Sequence, residues 1–329
     1  MGNPDRNRCN CGRGFAHRIS QCEASSCSAL APSLCLPALC PGHIYCGKDL
    51  DFSLVESLPT LTSKVHFMKL AHEIQGSGEP LVLLHGMGSA STAWKPIMGE
   101  LREKFQVITI DLPGHGKSPF DPDQEMHPLA LANLIMQQLD EIGIQKAHFA
   151  GNSLGGWIAL EIAAAHPEKV LSVTGLAPAG LWLVPTTHRT ILGASSRFMA
   201  AATYKYADTL MRKEWARKLG FFEVSPRWQD FPHELMVDAV IAYGGSAGYF
   251  PAWDGMLTRR FDKEVSPEIP VTIIFGDSDN TLPAQTSQEK SLAPAHARWV
   301  TLSQSGHAPM WDSPAECIAE IIRTATQTA

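Results

Sequence analysis

The stretch that decides the fold is Ala147-His148-Phe149-Ala150-Gly151-Asn152-Ser153-Leu154-Gly155-Gly156. A short apolar run enters a Gly-x-Ser-x-Gly pattern, and Trp157-Ile158-Ala159-Leu160-Glu161-Ile162-Ala163 continues with helical spacing. Strand, sharp turn and helix in that order make a nucleophile elbow. Such a turn strains the serine, so its close neighbours must lack side chains; Gly151 and Gly155 meet that need. Ser153 then stands at a helix N-terminus, where free N–H groups and the helix dipole favour developing negative charge.

Working outward, the flanking segments alternate between buried-strand and helix patterns. Pro80–Leu84, Gln106–Ile110, Val170–Leu176, Pro270–Phe275 and Ala297–Leu302 are strand candidates. Thr92–Lys104, Pro128–Ile142, Ala284–Leu292 and Pro314–Thr324 are helix candidates. A weaker pattern at Val65–Leu70, running on to a turn at Gly76-Ser77-Gly78, reads as a first strand or hairpin. The alternation predicts an α/β fold with a mostly parallel central sheet and helices on both faces. Between about 179 and 265 the rhythm becomes helical, with Trp182, Trp215, Trp228, Trp253, Tyr204, Tyr206, Tyr243 and Tyr249. An aromatic helical insertion between two strands is expected to act as a lid over a pocket. The expected division is core 64–178, lid 179–265 and core 266–329.

A serine hydroxyl needs a base, and the base needs a carboxylate. Post-strand loops supply both: Asp277 and Asp279 after Phe275, and His307 after Leu302. The order Ser, Asp, His belongs to elbow chemistry.

These motifs resemble the α/β-hydrolase superfamily from about Lys64 to the C-terminus. The matching segments are His85-Gly86-Met87-Gly88, Asp111-Leu112-Pro113-Gly114-His115-Gly116-Lys117-Ser118, Gly151–Gly156, Gly276-Asp277-Ser278-Asp279 and Gly306-His307. The resemblance implies Ser153 as nucleophile, His307 as general base and acid, and Asp279 as its carboxylate, with Asp277 as a turn residue. It implies an oxyanion hole from the backbone N–H groups of Met87 and Leu154, and supporting roles for His85 and Asp111. His115 belongs to a turn motif, and His127 and His166 read as helix-end residues without metal spacing. No cofactor or metal motif is present in the pattern.

The implied activity is a cofactor-independent serine hydrolase acting on a small, partly apolar ester, thioester or lactone. The alternatives are a carbon–carbon bond hydrolase of aromatic-ring degradation, an acyltransferase, or a ligand-binding protein on the same fold. The carbon–carbon group usually carries tryptophan after the catalytic histidine, whereas Ala308 stands here.

Composition bounds the rest. The 329 residues carry a net charge of −6 with 18% charged residues, which favours neither nucleic acid nor an anionic membrane as partner. No apolar run spans a bilayer. Seven of the eight cysteines fall within the first 46 residues, with no Cys-x-x-Cys pair. Residues 1–60 are expected to be a disordered leader, an over-extended gene start with Met68 as the candidate beginning; a small metal or redox appendage is the alternative. Cysteine scarcity in the body points to a cytoplasmic enzyme.

Overall fold

In the computed structural model of the chain, residues 68–327 are described. The expected leader, and Val65 to Phe67 of the expected first strand, lie outside them.

Seven strands form one sheet: β1 (His72–Gln75), β2 (Glu79–Leu84), β3 (Phe105–Ile110), β4 (Ala147–Asn152), β5 (Val170–Leu176), β6 (Val271–Gly276) and β7 (Arg298–Leu302). Their order is β1-β3-β2-β4-β5-β6-β7. Only β1 runs antiparallel to its neighbour, pairing His72 with Ile110; the remaining pairs are parallel. The helices are α1 (Lys95–Leu101), α2 (Pro128–Glu141), α3 (Leu154–Ala165), α4 (Ile191–Thr203), α5 (Ala207–Leu210), α6 (Glu214–Phe221), α7 (His233–Gly245), α8 (Tyr249–Met256), α9 (Ala284–Ser287), α10 (Pro309–Asp312) and α11 (Pro314–Ala325).

The strands are apolar on both faces because helices cover both. Successive residues point to opposite sides, so Val82 and Leu84 join the cluster under α2 and α3. Leu81 and Leu83 join the one under α1 and α11. Each fully buried large side chain in these layers contributes about 1.5–3 kcal/mol. The segment from α4 to α8 is a helical insertion between β5 and β6. It has a small core of its own, built from Met211, Ala216, Phe221, Trp228, Phe231, Leu235 and Met236.

Three expectations shift. Among the described residues the first strand is β1 at His72–Gln75, late in the stretch expected as a first strand or hairpin, and Met68 to Leu70 are not part of a strand. Leu70 N–H is taken by Gln138 Oε1 at 2.9 Å and Ala71 N–H by Ser118 Oγ at 2.8 Å. Side chains thus consume the donors that a strand would give to a neighbour. The helix expected at Thr92–Lys104 is a 3-10 turn at Ser91–Trp94 followed by α1, where Pro96 sits in the first turn. The helix expected at Ala284–Leu292 divides into α9 and a 3-10 turn at Lys290–Leu292. There Glu289 N–H donates to Leu181 O at 2.8 Å, and Leu183 N–H to Thr286 O at 2.8 Å. These tertiary bonds replace the ones that would continue the helix.

Candidate active site

Ser153 joins β4 to α3 with φ +54° and ψ −117°, a region that non-glycine residues rarely occupy. The turn closes so tightly that a β-carbon on Gly151 would fall onto the backbone of Gly155. One on Gly155 would fall onto the Leu84 carbonyl. Fixed bonds hold the strained residue: Ser153 N–H donates to Leu176 O at 3.0 Å, and its carbonyl accepts from Trp157 N–H at 3.1 Å and Ala179 N–H at 2.9 Å. Leu154 is the first residue of α3, so its N–H has no partner within the helix. The loop after β2 comes from the other side. An ideal β-carbon on Gly86 would stand 3.0 Å from Ser153 Cβ, and Met87 follows directly.

His307 meets Asp279. Nδ1 of the ring lies 2.9 Å from Asp279 Oδ2. Asp279 Oδ1 accepts Thr281 N–H at 2.9 Å and Leu282 N–H at 2.7 Å, and the residue is buried. Burial alone would raise this carboxyl; the His307 ring and the two backbone donors outweigh it and hold the group below its ordinary range. Because the carboxylate takes Nδ1–H, Nε2 keeps its lone pair and can accept a proton from a hydroxyl. Asp277 does not reach His307. It is exposed, and its carboxylate accepts Ser278 Oγ–H at 2.9 Å.

Two residues outside the expected set tie these parts together. Asn152 Nδ2 donates to Leu176 O at 3.0 Å and to His307 O at 2.9 Å, so the residue before Ser153 holds the histidine loop. Asp312 accepts Gly306 N–H at 2.8 Å and is also bonded by Ser225 Oγ–H. His307 N–H donates to Val224 O at 2.8 Å, which makes the insertion part of the loop's support. Asn152 was visible as a motif letter, but its role as a brace depends on where β7 ends. Asp312 carried no signal in spacing.

The other singled-out residues are held in place by hydrogen bonds. His85 Nδ1–H donates to Gly86 O at 2.8 Å and Nε2 accepts Leu112 N–H at 3.0 Å, which makes the ring neutral. Its burial lowers its pKa, opposed by Asp111 and Gly86 O. Asp111 accepts Ser91 N–H at 2.7 Å and Lys117 N–H at 2.8 Å, pinning two loops. His115 bonds Pro113 O at 2.9 Å, and burial, followed by the nearby His85, pushes its pKa down to about 3. His127 Nδ1 caps α2 by accepting Ala130 N–H at 3.2 Å, and His166 Nε2 lies 3.1 Å from Asn133 Oδ1. Among the described residues, no group of three or more His, Cys, Asp or Glu is arranged to hold a metal, and no helix is long and apolar enough to cross a membrane.

Comparison with known proteins agrees with this architecture. RutD of Stutzerimonas stutzeri, provisionally named a carbamate hydrolase, is 33% identical over 251 residues, covering 72% of this chain and 89% of the relative. A thermophilic esterase from Thermogutta terrifontis superposes with TM-score 0.60 at 21% identity, covering 78% of this chain and 94% of the esterase. The enol-lactonase of Burkholderia xenovorans LB400 superposes with TM-score 0.62 at 20% identity, covering 78% and 96%. The profile of the alpha/beta hydrolase family matches residues 81–320, well over half of the chain. A seven-stranded, mostly parallel sheet with its helical insertion, a strained turn at Ser153 and this profile match together carry the assignment: the chain belongs to the alpha/beta hydrolase family and is a hydrolase of it.

Proposed function

We propose that the chain is a serine hydrolase that cleaves a small, partly apolar ester, thioester or lactone through an acyl-enzyme on Ser153. The observation that carries the reading is the bonded His307–Asp279 pair, whose loop Asn152 ties to the strained Ser153 turn. His307 Nε2 takes the Ser153 proton as Oγ attacks the carbonyl carbon. The N–H groups of Met87 and Leu154 receive the oxyanion. His307 then protonates the leaving alcohol or thiol, and a water deprotonated by the same ring releases the acid. Asp279 holds the Nδ1–H tautomer and stabilises the imidazolium.

The insertion acts as the lid in this scheme. The Tyr243 and Tyr249 rings pack against Gly88, one residue beyond Met87, and favour an apolar or aromatic acyl group. The RutD relative extends the substrate class to carbamates, whose acyl carbon is open to the same attack. The test is a panel of p-nitrophenyl esters, a lactone and a carbamate, with Ser153→Ala as control and mass spectrometry after a fluorophosphonate probe. The expected outcome is ester turnover and an adduct on Ser153. A folded chain that shows neither would favour the ligand-binding reading.

A further inference from the structure

The one buried residue of α4 is a cation. Arg197 is 8% exposed, on a helix whose apolar side chains Ile191, Leu192, Phe198 and Met199 face water. A surface helix of a folded protein ordinarily turns its apolar stripe inward and its charges outward. Burying a guanidinium carries a desolvation cost that its contacts must offset. Those contacts show where the residue acts. Arg197 Nη2–H donates to Ser246 O at 2.7 Å, immediately beyond Gly245, the last residue of α7. The C-terminal end of a helix is its negative pole, where a cation is favoured. The guanidinium carbon also lies over the Tyr249 ring, 5.6 Å from its centre. Ser246 and Tyr249 bound the turn that joins α7 to α8, and Gly248 inside it donates its N–H to Gly114 O at 3.0 Å. The turn is thus bonded both to α4 and to the loop after β3.

That turn carries part of the wall around the loop after β2. Tyr243 and Tyr249 meet edge to face with ring centres 5.2 Å apart. Both rings close on Gly88, where an ideal β-carbon would stand 2.7 Å from Tyr243 Cδ2 and 2.9 Å from Tyr249 Cδ2. Gly88 has φ +73°, and Ser89 N–H donates to Gly86 O at 3.1 Å. Gly86–Ser89 is therefore a tight turn with Met87 and Gly88 at its apex, and the positive φ favours glycine there. Ser196, next to Arg197 on α4, places its Oγ 2.9 Å from Tyr243 OH. Each of the two rings is tied to α4 by one residue, Tyr249 by Arg197 and Tyr243 by Ser196.

We propose that Arg197 is a positioning residue for the oxyanion loop. It fixes the turn between α7 and α8, the turn fixes Tyr249 against Gly88, and the paired rings hold Gly86–Ser89 in one conformation. The catalytic consequence rests on the reading of Met87 N–H as an oxyanion donor; the restraint on the loop does not. Such a donor must stand where charge develops before the reaction begins. Loosening it therefore lowers the stabilisation of the transition state more than the binding of substrate.

The test uses the full chain and Arg197→Met, which keeps the apolar stem and removes the guanidinium. Arg212→Gln is the control, since Arg212 belongs to the same insertion but pairs with Asp208 at the surface. Hydrogen exchange of the peptide covering residues 85–90 reads the loop without reference to chemistry. It should be about tenfold faster in Arg197→Met and unchanged in Arg212→Gln. On a dissolved ester, Arg197→Met should lose about thirtyfold in kcat with KM within about threefold, a smaller loss than deleting an oxyanion donor outright. Arg197→Lys, which keeps the charge, should restore most of the rate. On a Tyr249→Leu background Arg197→Met should add little, because its effect travels through that ring. A thermal melt checks folding. Tyr243→Phe, which deletes the tie to Ser196 and keeps the ring, should speed exchange of the same peptide by a smaller factor and carries the prediction if Arg197→Met does not fold. Unchanged exchange at 85–90 in the folded variants would overturn the proposal whatever the parent chain turns over. Faster exchange with undiminished kcat would overturn the catalytic role. Faster exchange in a chain whose parent cleaves no ester would uphold the restraint and count against the serine-hydrolase reading instead.

Discussion

Helices α3 and α4 are of similar length, twelve and thirteen residues, and both are mainly apolar. They sit in opposite surroundings. In α3 ten consecutive residues from Leu154 to Ala163 are buried, even Glu161, which accepts Trp157 Nε1–H at 2.9 Å. In α4 one residue is buried, and it is an arginine. Apolar composition alone therefore does not state where a helix belongs. α3 has sheet, α2 and the insertion around it, so each of its apolar atoms displaces water. α4 is anchored along one edge by polar bonds and leaves its apolar edge open. The first helix carries the proposed nucleophile at its N-terminus, where rigidity would keep the proposed attacking group and oxyanion donors in register. The second forms an outer wall.

The largest effects test what α3 holds at its start. Ser153→Ala should lower ester turnover by about four to six orders of magnitude and remove the fluorophosphonate adduct. An adduct on another serine would break the link between the strained turn and the chemistry. Asp279→Asn should lower turnover by about four orders of magnitude at neutral pH, because the amide holds the wrong histidine tautomer. Asp277→Asn should stay within about threefold, as expected of an exposed surface position. Reversed severities would move the carboxylate role to the exposed turn.

Stability measurements sharpen the comparison directly. Leu160→Ala in α3 removes a fully buried side chain, and urea unfolding should show a loss of about 2–5 kcal/mol. The Asp279 carboxyl adds a pH signature. Its folded pKa lies below the ordinary 3.8, so its contribution is present above about pH 4 and is lost as pH falls through the lower folded value. The melting difference between the parent chain and Asp279→Asn should therefore narrow in acid below that point. A gap that widens there would show that the carboxyl is raised instead. The smallest effect belongs to α4: Ile191→Ser should change unfolding free energy by no more than about 0.5 kcal/mol, since that side chain is 89% exposed. A loss comparable to that of Leu160→Ala would mean that α4 packs inward in solution and that the contrast is false.

Much of this was determined by local sequence. Gly-x-Ser-x-Gly between a buried run and a helical run specifies the turn, because backbone would occupy the space of any β-carbon at Gly151 and Gly155. The strand runs specify a sheet covered on both faces, because Leu81 to Leu84 have no polar side to show water. The choice of Asp279 over Asp277 rests on the resemblance; in the fold His307 Nδ1 lies against Asp279 Oδ2. Tertiary structure decided what depends on residues far apart in sequence. Asn152 reaches His307 across 155 positions, Ser225 reaches Asp312 across 87, and Gln138 takes the Leu70 N–H across 68. The exposure of α4 belongs with these. Periodicity shows that a helix has an apolar stripe, but the stripe's direction follows from which edge its neighbours bind. Here Ser246 and Tyr243 bind the polar edge, through Arg197 and Ser196, and turn the apolar one outward.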